Sequence, residues 1–176
     1  QYMLDYVCKK QREWLDSGMD IVPISVNLSR ASFSSKTLVK DIVRLVDSYR
    51  VPHDKIEIEL TESAFFDNKE VLIDTVKKLK TFGFPISMDD FGAGYSSLNS
   101  LSELPIDIVK LDGGFFKPNP NQTEEDLQRG KIIVGNTIKL ASDLNLRIVA
   151  EGVEYQYQID FLRSLGYYIL IKVFYF

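Results

Sequence analysis

The chain has 176 residues, 45% hydrophobic and 26% charged, with a formal net charge of -4 from 21 basic and 25 acidic residues. That is enough for one domain with a sizeable core, and the weak negative balance argues against DNA or RNA as a partner, which needs a basic face. Cys8 is the only cysteine, so an intrachain disulfide is excluded and a cytoplasmic setting is expected; no apolar run approaches the roughly 18 residues of a membrane span.

In chain order, Met3, Leu4, Val7, Cys8, Trp14 and Leu15 fall near helical spacing and predict a helix over 3–16, stopped by Gly18. Residues 21–29 then alternate. Ile24, Val26 and Leu28 make an apolar face, and Ser25, Asn27 and Ser29 a small polar one. An amphipathic helix over 35–50 carries Leu38, Ile42, Leu45, Val46 and Tyr49 and is closed by Pro52. His53, the only histidine, reads as a surface loop residue, and one histidine makes the usual zinc site improbable. In the strand at 56–62, Ile56, Ile58 and Leu60 face one way and Glu57, Glu59 and Thr61 the other. Asp67 and Glu70 form a capping pair for a helix carrying Val71, Leu72, Val76 and Leu79, ended by Gly83.

A strand over 85–90 ends in two adjacent carboxylates, Asp89 and Asp90, and runs into a loop of two glycines and two serines. Carboxylates at a buried strand end are costly without a cation or donors. In a βα pattern they suggest a divalent-metal site, although Asp90 alone would also serve as a turn former. A short helix at 96–104, a strand at 106–112 bearing Lys110 and Asp112, and a Gly-, Pro- and Asn-rich loop at 113–122 follow. Then come a helix over 123–144 carrying Leu127, Ile132, Val134, Ile138, Leu140 and Ala141, a strand at 148–154 with Glu151 and Glu154, a short helix at 158–165 and a last strand at 168–176.

The rhythm is six strands joined by helices. Asn27, Glu59, Asp89, Asp90, Lys110, Asp112, Glu151 and Glu154 all fall at strand ends. In a parallel barrel those ends converge on the face that carries chemistry. Ligands from three successive strands, about 4.8 Å apart, span the reach of a two-cation site. Oxygen-only donors favour Mg2+ or Mn2+ over zinc or copper. Such ions would grip a phosphodiester oxygen and activate water, with Lys110 stabilising charge and Glu151 acting as ligand or base.

Five segments, in order, resemble one known family: Ser25–Ser29, Glu59–Ser63, Asp89–Leu98, Lys110–Asp112 and Glu151–Glu154. They are similar to the motifs of the bacterial EAL domain, the cyclic di-GMP phosphodiesterase. The resemblance covers nearly the whole chain, and Asp89-Asp90-Phe91-Gly92-Ala93-Gly94-Tyr95-Ser96-Ser97 is its most specific part. It implies an α/β fold, a TIM-like (β/α) barrel that is incomplete in this chain. It also implies hydrolysis of cyclic di-GMP to linear pGpG with Mg2+ or Mn2+, as a second-messenger signal. By position, Asn27, Glu59, Asp89 and Asp90 match the family's metal ligands. Lys110 and Glu151 match its catalytic lysine and late acid, and Asp112 and Glu154 match supporting residues. Phe91, Gly92, Gly94 and Tyr95 match the loop that couples metal binding to dimerisation and substrate.

The name-giving Glu-Ala-Leu strand, which precedes the first helix in the family, is absent from this sequence. Residues before Gln1, or a partner, are therefore expected to complete the barrel and the two-metal site. The last strand reads Ile171-Lys172-Val173 where the family has Gln-Gly-Tyr or Gln-Gly-Phe. Gly113 and Gly114 stand where bulkier polar residues are common. The alternative reading is a degenerate module that binds cyclic di-GMP or a protein partner without turnover, or a remnant with neither property. A homodimer and flanking sensor or GGDEF-type domains are the expected company of such a domain.

Overall fold

The computed structural model describes residues 2–29, 32–33, 35–61, 69–92, 98–116, 123–167 and 169–171. Six strands form one parallel sheet in sequential order: β1 (Ile24–Asn27), β2 (Ile56–Thr61), β3 (Ile86–Phe91), β4 (Ile108–Leu111), β5 (Arg147–Ala150) and β6 (Ile169–Ile171). The helices are α1 (Tyr2–Asp16), α2 (Leu38–Ser48), α3 (Lys69–Thr81), α4 (Leu98–Glu103), α5 (Glu124–Asp143) and α6 (Gln156–Ser164). Sequential parallel pairing with helical crossovers is how a (β/α) barrel is built. Here β1 and β6 are not paired to each other, so the described sheet is open.

Strand register fixes the two faces. Val26 pairs with Ile58, Ile58 with Ile86, Leu60 with Met88, Met88 with Val109, and Val109 with Ile148. All of these are buried; they form the face that packs under the helices, where each large aliphatic side chain contributes roughly 1.5–3 kcal/mol. Successive residues point to opposite faces. Ser25, Asn27, Glu57, Glu59, Ser87 and Lys110 therefore line the other, inner face.

The helices meet this core with narrower stripes than sequence spacing suggests. In α1 the buried residues are Leu4, Val7, Cys8 and Gln11, whereas Met3 and Trp14 stay partly exposed. Gln11 is buried because its amide donates to the carbonyls of Val22 and Lys55 at 2.9 and 3.0 Å, tying α1 to the approaches of β1 and β2. In α5 only Val134, Ile138 and Ala141 are buried; Leu127 and Ile132 lie toward solvent. The helix starts with a capping box between Thr123 and Asp126. The Asp67 half of the cap expected for α3 lies outside the described residues.

His53 sits in the turn between α2 and β2, at the surface as its composition suggests, and is half-buried there. It pins that turn to α2 and to the loop between α3 and β3. Its ring stacks on Phe84, centroids 4.5 Å apart. Its nitrogens lie 2.6 Å from the carbonyl oxygen of Phe82 and 2.9 Å from Asp47 Oδ1. Turn composition gave the loop; two of the partners, Phe82 and Phe84, lie about 30 positions later, which local pattern does not reveal.

Among the described residues no helix is long and apolar enough to cross a membrane.

Candidate functional site

Lys110 is the centre of the inner face. It is buried, and its side chain extends from β4 past β3 to the first two strands. Nζ donates to Glu59 Oε1 of β2 and to Ser25 Oγ of β1 at 3.2 Å, and lies 3.5 Å from Glu57 Oε1. Ser25 in turn donates to Glu57 Oε1 at 2.8 Å. Asn27 Nδ2 reaches the other Glu59 oxygen at 3.5 Å. Three strands thus share one hydrogen-bonded group around a single ammonium.

Beside it, β3 carries a bulge. Met88 pairs with Val109 and Phe91 with Leu111, so Asp89 and Asp90 together stand opposite Lys110 alone. The extra residue is Asp90, whose φ is +55°. That left-handed backbone is unusual for a residue with a Cβ, and together with a bulge it marks strain held at functional sites. The bulge sends the two carboxylates in different directions: Asp89 is half-buried and Asp90 exposed.

The electrostatics are lopsided. Burial raises the Glu59 carboxyl above the usual range; the hydrogen bond from Lys110 and its charge pull it back, and Asp89 and Glu57 push it up again. Burial alone would lower Lys110, but its bond to Glu59 and the charges of Glu59, Glu57 and Asp89 leave it raised. Asp90 is raised by partial burial first, then by Asp89, Asp112 and Glu151. Lys110 is the one cation among these groups; Glu59, Glu57 and Asp89 act on it directly, and Asp90, Asp112 and Glu151 extend the negative field beyond Asp89.

The remaining expected residues fall into two sets. Asp112, just past β4, accepts from the Gly114 N–H at 2.7 Å and caps the 3-10 turn Gly113–Phe115, and it stays within electrostatic reach of Asp90. Glu151, just past β5, is half-buried and shares that reach. Glu154 is exposed; its backbone N–H donates to Gln158 Oε1 at 2.8 Å, and its carboxylate does not enter the group around Lys110. Phe91 belongs to the hydrophobic core. Gly92 has φ +97°, and a Cβ there would overlap the Phe115 ring, so the chain leaves β3 by a route open only to glycine. Gly94 and Tyr95 lie outside the described residues, as do Lys172 and Val173.

Sequence reading missed Ser25 and Glu57 as members of this site. The signal was present: each sits two residues before an expected ligand, on the same strand face. Gly113 and Gly152 are also closer than pattern reading shows. A Cβ on Gly152 would come 2.8 Å from the Gly113 Cα, so the loops after β4 and β5 press backbone to backbone at the rim.

The donors suit a hard divalent cation. They are oxygens on adjacent strand ends in a field of excess negative charge. Ser87, the register partner of Glu59, is wholly buried on the inner face, and its hydroxyl lacks a hydrogen-bond partner among the described residues. A buried orphan oxygen of this kind calls for water or a ligand. No three of the described His, Cys, Asp or Glu residues form a ready-made cation cage; the carboxylates are gathered, not yet converged. A groove of about 730 Å³ lies to one side, between Phe115, Leu127, Tyr157 and Phe161, and is lined by neither Lys110 nor the strand-end acids.

Fold and site together define an α/β chain of parallel-barrel type with an acidic, lysine-centred rim at its strand ends. The EAL domain family model matches residues 1–170. The chain is 35% identical over 166 residues to the bifunctional diguanylate cyclase/cyclic di-GMP phosphodiesterase MucR of Pseudomonas aeruginosa, covering 94% of this chain and 24% of that protein. It is 34% identical over 169 residues to the signaling protein YkoW of Bacillus subtilis, covering 94% and 20%. The solved PaMucR phosphodiesterase in complex with c-di-GMP superposes with a TM-score of 0.78 at 34% identity, over 94% of this chain and 69% of that one. The chain belongs to the EAL domain family, and its sheet is an open part of a TIM-like barrel. It spans about a quarter or less of the length of these curated relatives.

Proposed function

We propose that this chain carries strand-end machinery of a cyclic di-GMP phosphodiesterase, in which water opens one phosphodiester bond to give linear pGpG. The observation that carries the reading is Lys110, buried among Glu57, Glu59 and Asp89 opposite a strained double-aspartate bulge. Such a cluster stabilises phosphate charge only when further cations balance the acids. The EAL relative MucR is named a cyclic di-GMP phosphodiesterase, and its solved phosphodiesterase holds c-di-GMP.

In this reading Asn27, Glu59, Asp89 and Asp90 hold Mg2+ or Mn2+. When bound, the cations supply positive charge at the phosphodiester oxygens and acidify the attacking water. Lys110, kept ionised by its acidic neighbours, orients that water and stabilises the charge that develops on the phosphate. Glu151 accepts a proton from the water or completes the ligand set. Asp112 acts at one remove, by fixing the turn that follows β4. A homodimer and further domains in the longer protein are part of the same reading.

The test is conversion of cyclic di-GMP to pGpG by the chain in Mn2+, followed by chromatography, with Asp89→Asn as control. Turnover that the substitution abolishes supports the proposal. Calorimetric binding without turnover points instead to a binding module, and absence of both overturns any nucleotide role for this chain.

A further inference from the structure

We infer that Ser25 and Glu57 are positioning residues for Lys110: a second anchorage, on β1 and β2, that holds the ammonium in place when Glu59 is engaged elsewhere. The inference rests on the reading of Lys110 as the phosphate-facing lysine.

The geometry gives Lys110 two sets of partners. One is Glu59, which the proposed function also requires as a cation ligand. A carboxylate that turns its oxygens to a divalent cation weakens its hold on a neighbouring ammonium. The other set is Ser25 and Glu57. Ser25 Oγ accepts from Lys110 at 3.2 Å and donates its own proton to Glu57 Oε1 at 2.8 Å. Glu57 Oε1 is also 3.5 Å from Nζ. The hydroxyl thereby forms a bridge of fixed polarity: the ammonium donates, serine relays, and the carboxylate accepts. Glu57 has only about an eighth of its side chain exposed, so this is a built contact rather than a surface ion pair. Both residues lie one layer below Asn27 and Glu59 on the same strands. That places them beneath the strand-end acids, at the Lys110 ammonium.

Partners of this kind tune the groups above them, and their loss costs about 10–100-fold in metalloenzyme sites. Glu57→Gln keeps the shape and removes the charge; Ser25→Ala removes the bridge with the smallest change in volume. The first readout does not depend on catalysis: the rate at which acetic anhydride modifies Lys110, followed by peptide mass spectrometry, with and without saturating Mg2+. In the parent chain Lys110 stays protected in both conditions. In either variant modification speeds up about tenfold, and more so with Mg2+, because Glu59 is then occupied. The second readout is turnover. kcat falls about tenfold with KM little changed, and Glu57→Asp restores part of it.

Protection of Lys110 that survives both substitutions overturns the inference, as does a loss confined to Mn2+ affinity. Ser25→Ala keeps the test decisive where Glu57→Gln fails to fold, as judged by circular dichroism. Should the parent chain show no turnover, the proposed function fails, while the labelling result still decides the anchorage.

Discussion

Two lysine–carboxylate pairs sit at opposite ends of the same sheet, and they do different work. At the N-terminal rim, Lys80 of α3 pairs with Asp107 at 2.5 Å. The other Asp107 oxygen accepts the Ile86 N–H at 2.9 Å, while its carbonyl accepts from the Arg147 N–H at 2.9 Å. One cation meets one anion, both carboxylate oxygens are used, and three strands are tied at their starts. At the other end, Lys110 meets Glu59, with Glu57 and Asp89 acting on it as well, and Asp90, Asp112 and Glu151 crowd together on the far side of Asp89. The first pair is balanced and structural. The second is overloaded with negative charge, and that surplus is what a catalytic cation site needs and a structural pair avoids.

The comparison predicts a double dissociation. The largest effect is on chemistry: Lys110→Met lowers kcat for cyclic di-GMP hydrolysis by about 10²–10³-fold, the loss expected for one preorganised charge-stabilising group. Chelation by EDTA abolishes the same activity and Mg2+ or Mn2+ restores it; activity that survives chelation would break the comparison outright. Next, Asp107→Ala destabilises the fold by about 1–3 kcal/mol, because the Ile86 N–H loses its acceptor, while Mn2+ binding measured by calorimetry is unchanged. Glu59→Gln shifts the balance the other way: Mn2+ binding is lost outright, while the cost in urea stability stays limited, since burial already disfavours this carboxylate's charge and Glu57 and Ser25 remain at the Lys110 ammonium. The sign is consistent. A folded-state pKa above the unfolded one makes the native state the better proton binder, so stability attributable to Glu59 falls as pH rises above about 4.5.

Smaller effects come from groups away from both pairs. The Asp126 carboxyl is held below its ordinary value by the Thr123 hydroxyl first and then the Thr123 backbone. Its contribution is therefore present above the ordinary Asp range and is lost as pH falls through the lowered value. Thr123→Ala should flatten that acid limb of the melting temperature slightly. Cys8 is fully buried, and its thiol is pushed up to about 11 by burial and then by Asp5. It should stay unreactive to a disulfide reagent at neutral pH until the chain unfolds.

Much of this was legible before any coordinates. Alternation in 56–62 put Glu57, Glu59 and Thr61 on one face because a strand repeats every two residues, and the structure pairs Ile58 with Ile86 and Glu59 with Ser87 accordingly. Pattern also gave six strands in parallel order, and the string from Asp89 to Ser97 gave the family. Helix burial was read less well. Leu127, Ile132 and Trp14 have the right residue type for a core but are left exposed by the described elements.

Local periodicity and residue type were enough for the order of strands and helices, the identity of the acids and the lysine, and the family to which they belong. It took the folded chain to show that Asp89 and Asp90 share one position opposite Lys110, that Ser25 and Glu57 reach the same ammonium from two other strands, and that His53 is a pin. Those facts depend on register, on a bulge and on which strand ends face each other. Each is a relation between residues well apart in the chain, set by how the strands pair and not by sequence neighbours alone.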